Sequence, residues 1–310
     1  MRKSLAVSAG VLVLGIAAHA QTIDSYYSSN YSYTNLGPVA GLPGPAGGLT
    51  VKQGDPYTLL IGGSANNSGG SIYSIGLTRD AQNHITGFTG SAQLVATAPY
   101  IDGGLAYGPG GVLFSTGYPN NTLMQHKPGS SAPDKTITLN GMVGSSVGAV
   151  NFVPSNFGGA GHMKIVSYNT GQFYDATVSP DGTGTYDVND ISLRATITSG
   201  PEGFVYVPLG SPLFTTSMLV SEYGGGRIAA YDVDANGDPI VNSRRDFMTG
   251  LGGAEGAFID PLTGDFLFST FGGGDRVIRV SGFAVPEPST LVLFGLGALA
   301  LVAKRRRTVR

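Results

Sequence analysis

A short strand that opens with glycine recurs about every 50 residues, and this repeat constrains the fold more than any other feature of the chain. A second, apolar strand follows each copy, then a glycine-containing turn and a third strand with alternating character. The five first strands are predicted at 48–51, 104–107, 148–151, 203–206 and 256–259. The second strands are predicted at 58–61, 112–115, 164–167, 218–221 and 266–269, and the third at 71–75, 122–126, 172–176, 227–231 and 276–280. Candidates for a fourth strand are 85–88, 135–139, 184–188 and 239–242.

A four-stranded unit of this length leaves one sheet face uncovered, so each unit needs a neighbour to bury it. Radial stacking of such units predicts an all-β fold, a β-propeller of five four-stranded blades. The last unit lacks an obvious fourth strand, and the segment 23–33 is a candidate to supply it and close the ring. A sixth, degenerate blade around residues 21–47 and an irregular β-sandwich are the two alternatives.

Composition agrees with a β-rich exported domain and excludes several functions. The chain has 49 glycines, only 12% charged residues and no cysteine, so neither disulfides nor a thiol nucleophile is available. Residues 21–285 contain 11 Lys and Arg against 19 Asp and Glu, a net charge of −8. An acidic domain disfavours nucleic acid as a partner and is compatible with divalent cations or neutral glycans.

The N-terminus has the three parts of a secretory signal peptide, predicted over residues 1–20. Arg2 and Lys3 form a positive start, and an apolar run follows at 5–18. Ala18 and Ala20 are the small residues that a signal peptidase reads, so cleavage is expected after Ala20.

The C-terminus, residues 284–310, reverses this order. The motif at 285–289 precedes an apolar run at 290–303, a predicted transmembrane helix, and a basic end at 304–310. Fourteen helical residues reach only about 21 Å, short of a hydrocarbon core of about 30 Å. The basic residues are expected to stay in the cytoplasm, which places residues 21–285 outside. The membrane-orienting residues are Lys304, Arg305, Arg306 and Arg307.

This tail resembles the PEP-CTERM sorting signal of Gram-negative bacteria. The resemblance implies that a membrane protease, exosortase, recognises the tail, and that the protein passes through the inner membrane to the cell surface or matrix. Substrates of this kind are typically surface or exopolysaccharide-associated proteins. The positions that carry the motif are Val285, Pro286, Glu287, Pro288 and Ser289. The two prolines keep this segment extended and outside the following helix.

One candidate metal site is a calcium-loop-like string. Its oxygen-bearing residues are Asp232, Asp234, Asn236 and Asp238, with Gly237 permitting a sharp turn. Position twelve of such a loop should be glutamate but is Ser243, and the flanks are strand-like. A hairpin turn, in which Asn-Gly supplies the positive φ, is the favoured interpretation.

A second candidate comes from aligning the repeats. Glu202 and Glu255 stand just before the first-strand glycine of their units, and Asp102 stands one position earlier in another. First strands converge on the axis of a propeller, so these three acids are expected at one mouth of the channel. The first strands open with glycine, and four of them soon reach a proline, at Pro109, Pro154, Pro208 and Pro261. In this the repeats resemble NHL and gluconolactonase-like propellers, and the resemblance implies a metal held by such acids. A structural role, in which they accept hydrogen bonds from loop amides, is the favoured interpretation.

The leading hypothesis is therefore an exported, transiently anchored surface protein whose propeller is a binding or structural module. No catalytic residue is assigned and an enzymatic role is not favoured; Ca²⁺ is the only candidate cofactor. A metal-dependent, lactonase-like hydrolase that uses Asp102, Glu202 and Glu255 is the alternative. A permanently anchored membrane protein is a third hypothesis.

Overall fold

The computed structural model describes residues 21–272 and 274–286, and its regular elements in these ranges are twenty-one β-strands and three short 3₁₀ turns. The strands are, in chain order, β1 Thr22–Ile23, β2 Ser32–Pro38, β3 Leu49–Val51, β4 Thr58–Gly63, β5 Ser71–Arg79, β6 Ile85–Thr97, β7 Ile101–Tyr107, β8 Leu113–Gly117, β9 Thr122–His126, β10 Lys135–Thr138, β11 Val147–Phe152, β12 Met163–Ser167, β13 Gln172–Pro180, β14 Tyr186–Thr196, β15 Pro201–Tyr206, β16 Ser217–Glu222, β17 Arg227–Asp232, β18 Arg245–Thr249, β19 Ala254–Ile259, β20 Phe266–Thr270 and β21 Arg276–Ser281.

These strands form five antiparallel sheets, which are the five blades of a propeller. Blades I, II and III consist of β3–β6, β7–β10 and β11–β14, each in sequential order. Blade IV consists of β15–β18 with β1 added at its outer edge, and blade V consists of β19–β21 with β2 outermost. The prediction of an all-β, five-bladed propeller is confirmed, and the sixth blade around 21–47 is not formed.

The N-terminal segment closes the ring as predicted, but the predicted bounds 23–33 are wrong. The closing strand is β2, which pairs with β21 from Ser32↔Ser281 onwards, while β1 joins the neighbouring blade IV. Between them the chain turns, because Asp24 accepts a hydrogen bond from the Tyr26 backbone N–H. The segment between β1 and β2 places the buried side chains of Tyr27 and Tyr31 next to each other.

The predicted fourth strand at 239–242 is also wrong, because the strand is β18, Arg245–Thr249. Pro239 forms only an isolated bridge with Val233, and the following residues form a 3₁₀ turn, Val241–Ser243. The Ser243 hydroxyl donates to the Ile240 carbonyl oxygen and thereby stabilises the turn. Because of this turn, the fourth strand of blade IV begins at Arg245 and not at the predicted position 239.

The recurrent glycine is required where the five first strands meet around the axis. A Cβ atom on Gly48 would lie 2.5 Å from the carbonyl oxygen of Gly103, and one on Gly256 would lie 2.5 Å from the Gly48 Cα. No side chain fits at such distances, so the repeat begins with the one residue that has none.

The central channel is open at two ends. We call one the acid mouth, because Asp102, Glu202 and Glu255 lie there, and the other the tail mouth, because the C-terminal segment leaves the propeller there. First strands begin at the acid mouth, where the loops from second to third strands also lie. They end at the tail mouth, where the loops between first and second strands and between third and fourth strands lie. Because β21 is a third strand, the chain leaves the propeller at the tail mouth.

Between the blades lie clusters of buried apolar side chains, such as Val205, Leu219, Phe247 and Phe268 between blades IV and V. No helix within 21–272 or 274–286 is both long and apolar enough to cross a membrane. The predicted signal peptide with Ala18 and Ala20, and the predicted helix 290–303 with its basic end, lie outside the described residues.

Candidate functional site

Three carboxylates from three blades meet at the acid mouth. Asp102 is on β7, Glu202 on β15 and Glu255 on β19, and one oxygen of each lies within 4.8 Å of the others. The exposed fractions of the three residues are 0%, 5% and 1%. Within the part of the chain that the structure describes, no other such group of three acidic or histidine side chains is found.

Bulges in the first strands bring these acids to the axis. The pairing shifts between Ile101 and Leu105 in β7, between Pro201 and Gly203 in β15, and between Ala254 and Ala257 in β19. A bulge leaves a residue out of the ladder and redirects its side chain. The longer irregularity in β7 explains why Asp102, one position out of register in the repeat alignment, still reaches the two glutamates.

Burial controls the protonation of this triad. It raises the pKa of Asp102 to about 7, against smaller opposing effects of contacts with Glu255, Glu202 and Asn66. Burial and repulsion from Asp102 raise the pKa values of Glu202 and Glu255 well above the usual range, and Glu255 adds to the effect on Glu202. Among residues 21–272 and 274–286, no lysine or arginine forms an ion pair with any of the three. At neutral pH the group therefore holds protons or needs a cation.

Several oxygen atoms at the triad lack a hydrogen-bond partner of good geometry within the described residues. They are both carboxylate oxygens of Asp102, Oε2 of Glu202, Oε1 of Glu255 and the amide Oδ1 of Asn66, and all are buried. Asn66 is in the loop between β4 and β5 and donates its backbone N–H to the Ile101 carbonyl, which holds it beside β7. Carboxylate and amide oxygens together are the ligands that hard divalent cations such as Ca²⁺ prefer.

A belt of aromatic rings surrounds the acid mouth. Successive rings in the belt lie 6.0, 5.8 and 6.1 Å apart and meet edge to face. Burial raises the pKa of Tyr168 and Tyr223, and the charges of Glu202 and Glu255 raise them further, which places both rings near the triad. The members of the belt are Tyr118, Tyr168, Tyr223 and Phe271, one from each of blades II to V.

The aromatic belt is absent from the sequence predictions, although the repeat contains its signal. Each of the four residues comes directly after the second strand of its blade, and only Ser64 of blade I breaks the pattern. Gly200 and Gly253 provide room for the belt, since a Cβ atom on them would lie 2.6 Å from the Tyr168 ring and 2.9 Å from the Tyr223 ring respectively.

The calcium-loop-like string folds as a hairpin turn. Asp234 Oδ1 accepts hydrogen bonds from the backbone N–H groups of Asn236 and Asp238, and Asp232 accepts one from the Ser217 hydroxyl. Asp238 is turned away into an ion pair with the buried Lys164. The string therefore does not gather its oxygens around one point, in agreement with the favoured interpretation.

The three histidines among the described residues do not join the triad. His84 lies 2.7 Å from Asp265, His162 lies 3.1 Å from Asp175, and His126 contacts the carbonyl oxygen of Thr97. The site therefore consists of three buried carboxylates and the amide oxygen of Asn66, with the aromatic belt nearby.

The opposite, tail mouth opens into a cavity of about 690 Å³. Apolar side chains dominate its wall, including Tyr107, Phe152, Phe258 and Leu262. The first part of the sorting tail leaves the propeller at this mouth. Phe283 packs 4.6 Å from the Tyr31 ring, and the Ala284 N–H donates to the Ser211 hydroxyl at 3.0 Å. Beyond this anchor Val285 is exposed, and Glu287, Pro288 and Ser289 lie outside the described residues.

The comparison with protein families concerns this tail. The model of the PEP-CTERM protein-sorting motif matches residues 284–307. The chain carries a PEP-CTERM sorting motif. The PEP-CTERM tail thus includes the whole predicted motif, the apolar run and the basic cluster, and it begins at Ala284, the residue anchored on the propeller. No curated protein sequence is significantly similar to the chain.

Several solved structures are similar to the chain over most of its length. The pyranose dehydrogenase PQQ domain from Coprinopsis cinerea is 10% identical with a TM-score of 0.49, covering 84% of this chain and 97% of that one. An auxiliary nutrient binding protein from Bacteroides thetaiotaomicron is 11% identical with a TM-score of 0.48, covering 84% and 68%. An aldose sugar dehydrogenase from Streptomyces coelicolor is 14% identical with a TM-score of 0.44, covering 79% and 83%. At identities this low, the activities of these proteins are not transferred to this chain.

Proposed function

We propose that this protein is exported, held briefly in the inner membrane by its PEP-CTERM tail, cut by exosortase and delivered to the cell surface or matrix. The observation that carries the proposal is the match of residues 284–307 to the sorting motif. The predicted signal peptide at 1–20, the apolar run at 290–303 and the basic residues after it agree with that route.

The position of the motif favours cleavage of a folded protein. The last strand, β21, ends at Ser281, and Ala284 is anchored to the propeller by a hydrogen bond. A cut at the segment 286–288 therefore removes the tail without removing a strand. The product would keep all five blades and lose the membrane anchor.

Pulse-chase labelling in the native host tests the processing. We expect a precursor to be shortened by about 3 kDa and released, and Pro286→Ala with Pro288→Ala to block this step. Pro133→Ala, in the loop between β9 and β10, is the matched control. Unchanged size and location after deletion of the exosortase gene would show that the proposal is wrong.

For the propeller itself we propose a binding or structural role, with exopolysaccharide as the candidate ligand. The burial of Asp102, Glu202 and Glu255 argues against the alternative, a metal-dependent hydrolase, because a catalytic metal needs an open position that substrate can reach. A pull-down of the purified propeller on the host's own polysaccharide, with an unrelated polysaccharide as control, tests the binding role.

The triad supports a second proposal, a structural divalent cation in the channel. A cation bound by Asp102, Glu202, Glu255 and the Asn66 amide oxygen would neutralise three buried carboxylates and give partners to five buried oxygens. It would join blades I, II, IV and V at the axis. No chemistry beyond this cross-link is required of it.

Calorimetric titration with Ca²⁺ after EDTA treatment tests the cation. We expect heat from one site in the wild-type protein and in Asp234→Asn, which alters only the hairpin turn. Asp102→Asn should abolish it. Heat that disappears in Asp234→Asn and persists in Asp102→Asn would instead assign the ion to the 232–238 turn.

A further inference from the structure

Most of the exposed large hydrophobic side chains of the described residues lie at the tail mouth. Among the described residues thirteen large hydrophobic side chains are exposed. Eight of them lie in loops or chain segments at the tail mouth, three lie along β6 and β14, one is in β2 and one, Met142, lies at the acid mouth. The eight are Tyr26, Tyr57, Leu209, Leu213, Ile240, Val241, Leu262 and Val285.

The chain's own membrane anchor leaves from the middle of this apolar set. Ala284 is bound to Ser211, in the loop that also contains Leu209 and Leu213. The Ala284 carbonyl oxygen lies against Gly264, in the loop that contains Leu262. The apolar loops of blades IV and V therefore flank the point from which the tail departs.

The connection between this point and the membrane segment is too short to let the propeller move away. Five residues, 285–289, separate Ala284 from the apolar run that begins at Thr290. Even fully extended, the chain from Ala284 to Thr290 spans at most about 20 Å. The two prolines in this segment also limit its freedom to bend.

From these observations we infer that, while the tail is in the membrane, the propeller lies with its tail mouth against the lipid surface and its exposed apolar loops in contact with the bilayer interface. The inference rests on the anchoring proposed above and adds an orientation to it. The net charge of −8 in residues 21–285 gives no attraction to anionic lipid, so the contact depends on the short tether and on apolar side chains.

This orientation gives the two mouths different surroundings. The apolar cavity of about 690 Å³ opens toward lipid before cleavage and toward the exterior only after release. The acid mouth, with its aromatic belt, faces away from the membrane throughout. Exosortase, itself in the membrane, would meet the motif at the edge of the docked face.

Site-specific labelling of the full chain tests the orientation, and the absence of native cysteine makes it direct. Leu213→Cys and Leu262→Cys report on the tail mouth, and Met142→Cys is the matched control, since Leu213 is 46% exposed and Met142 is 47% exposed. Each variant is labelled with a small fluorophore and reconstituted into vesicles of phosphatidylethanolamine and phosphatidylglycerol that contain a lipid with a spin-labelled headgroup.

We expect fluorescence at positions 213 and 262 to be quenched at least about twofold more than at position 142, because the tether keeps the tail mouth within roughly 20 Å of the lipid. Insertion of a twenty-residue Gly-Ser spacer after Val285 should reduce this difference. Equal quenching at the three positions, in protein that floats with the vesicles, would overturn the orientation while leaving the anchoring intact. Protein that fails to float with the vesicles would refute the anchoring itself, and the orientation with it.

Discussion

The three acids at the axis differ from the buried carboxylates toward the tail mouth in how their negative charge is balanced. At the acid mouth three buried carboxylates face one another, and no cationic side chain of the described residues forms an ion pair with them. On the tail side buried carboxylates are paired, as Asp175 and Asp238 are with Lys164, and Asp260 is with Arg79 at 2.6 Å. The tail mouth instead exposes apolar side chains. The acid mouth thus contains buried carboxylates without a cationic partner among the described residues, and the tail mouth has an apolar surface that suits contact with lipid.

The largest expected effect on the free energy of unfolding concerns the buried ion pairs of Lys164. Lys164 is fully buried and joins β12 of blade III to the hairpin of blade IV, with its Nζ 2.6 Å from Asp175. Lys164→Met leaves buried carboxylates without their main partner, so we expect a loss of about 3 kcal/mol or more in the free energy of unfolding. Urea denaturation measures it.

Lys135→Met is the control for this prediction. Lys135 also bridges two aspartates, Asp181 and Asp187, but its side chain is partly exposed to solvent. Its loss should cost about 1 kcal/mol or less. Equal costs for the two variants would show that burial does not distinguish the ion pairs of this protein.

The next largest expected effect is the pH dependence of the free energy of unfolding that the unpaired acids of the triad produce. Their pKa values are raised in the folded state, to about 7 for Asp102, so the folded protein binds more protons than the unfolded chain above about pH 4. The stability that the protonated triad contributes is then greatest at low pH and is lost as the pH rises through 7. In EDTA we expect wild-type protein to lose on the order of 2 kcal/mol between pH 5 and pH 8.5, measured by urea denaturation.

Two comparisons sharpen the pH experiment. Asp102→Asn should show a smaller loss, because one raised pKa has been removed. Ca²⁺ should restore the stability of the wild-type protein at pH 8.5 and leave the variant unchanged. Parallel pH profiles for both proteins would mean that the burial of Asp102 does not control the pH dependence of stability.

The smallest expected effect concerns the exposed apolar loops. Leu213→Ser and Leu262→Ser remove side chains that lie largely in solvent, so each should change the free energy of unfolding by less than about 0.5 kcal/mol. Met142→Ser at the acid mouth should behave alike. A large loss in the tail-mouth variants alone, seen by thermal denaturation, would mean that these residues support the fold rather than a lipid contact.

Strand positions were largely predictable because they follow a local pattern. The second and third strands coincide with the repeat, and β9 has the predicted bounds, Thr122–His126. Errors fell where the connection departs from the repeat, at Pro239 and in the turn between β1 and β2. There the 3₁₀ turn Val241–Ser243 and an aspartate-capped turn set the path of the chain, and neither alters the hydrophobic period.

The sequence predicted which three acids form the triad, but it did not predict their burial or their neighbours. Repeat alignment singled out Asp102, Glu202 and Glu255, because equivalent positions on first strands face a common axis. Their meeting depends on bulges in three first strands and on the closure of the blades around the axis. The pairing of Lys164 with Asp238 likewise joins residues 74 positions apart, and no periodicity indicates it.

The sequence by itself determined the repeat of short β-strands, the glycines at the axis and the sorting tail, since each is carried by a repeat or by a contiguous motif. Only the tertiary structure decided which charges are paired and from which mouth the tail departs. Those properties depend on distances between residues far apart in the chain, and such distances exist only once the ring of blades has closed.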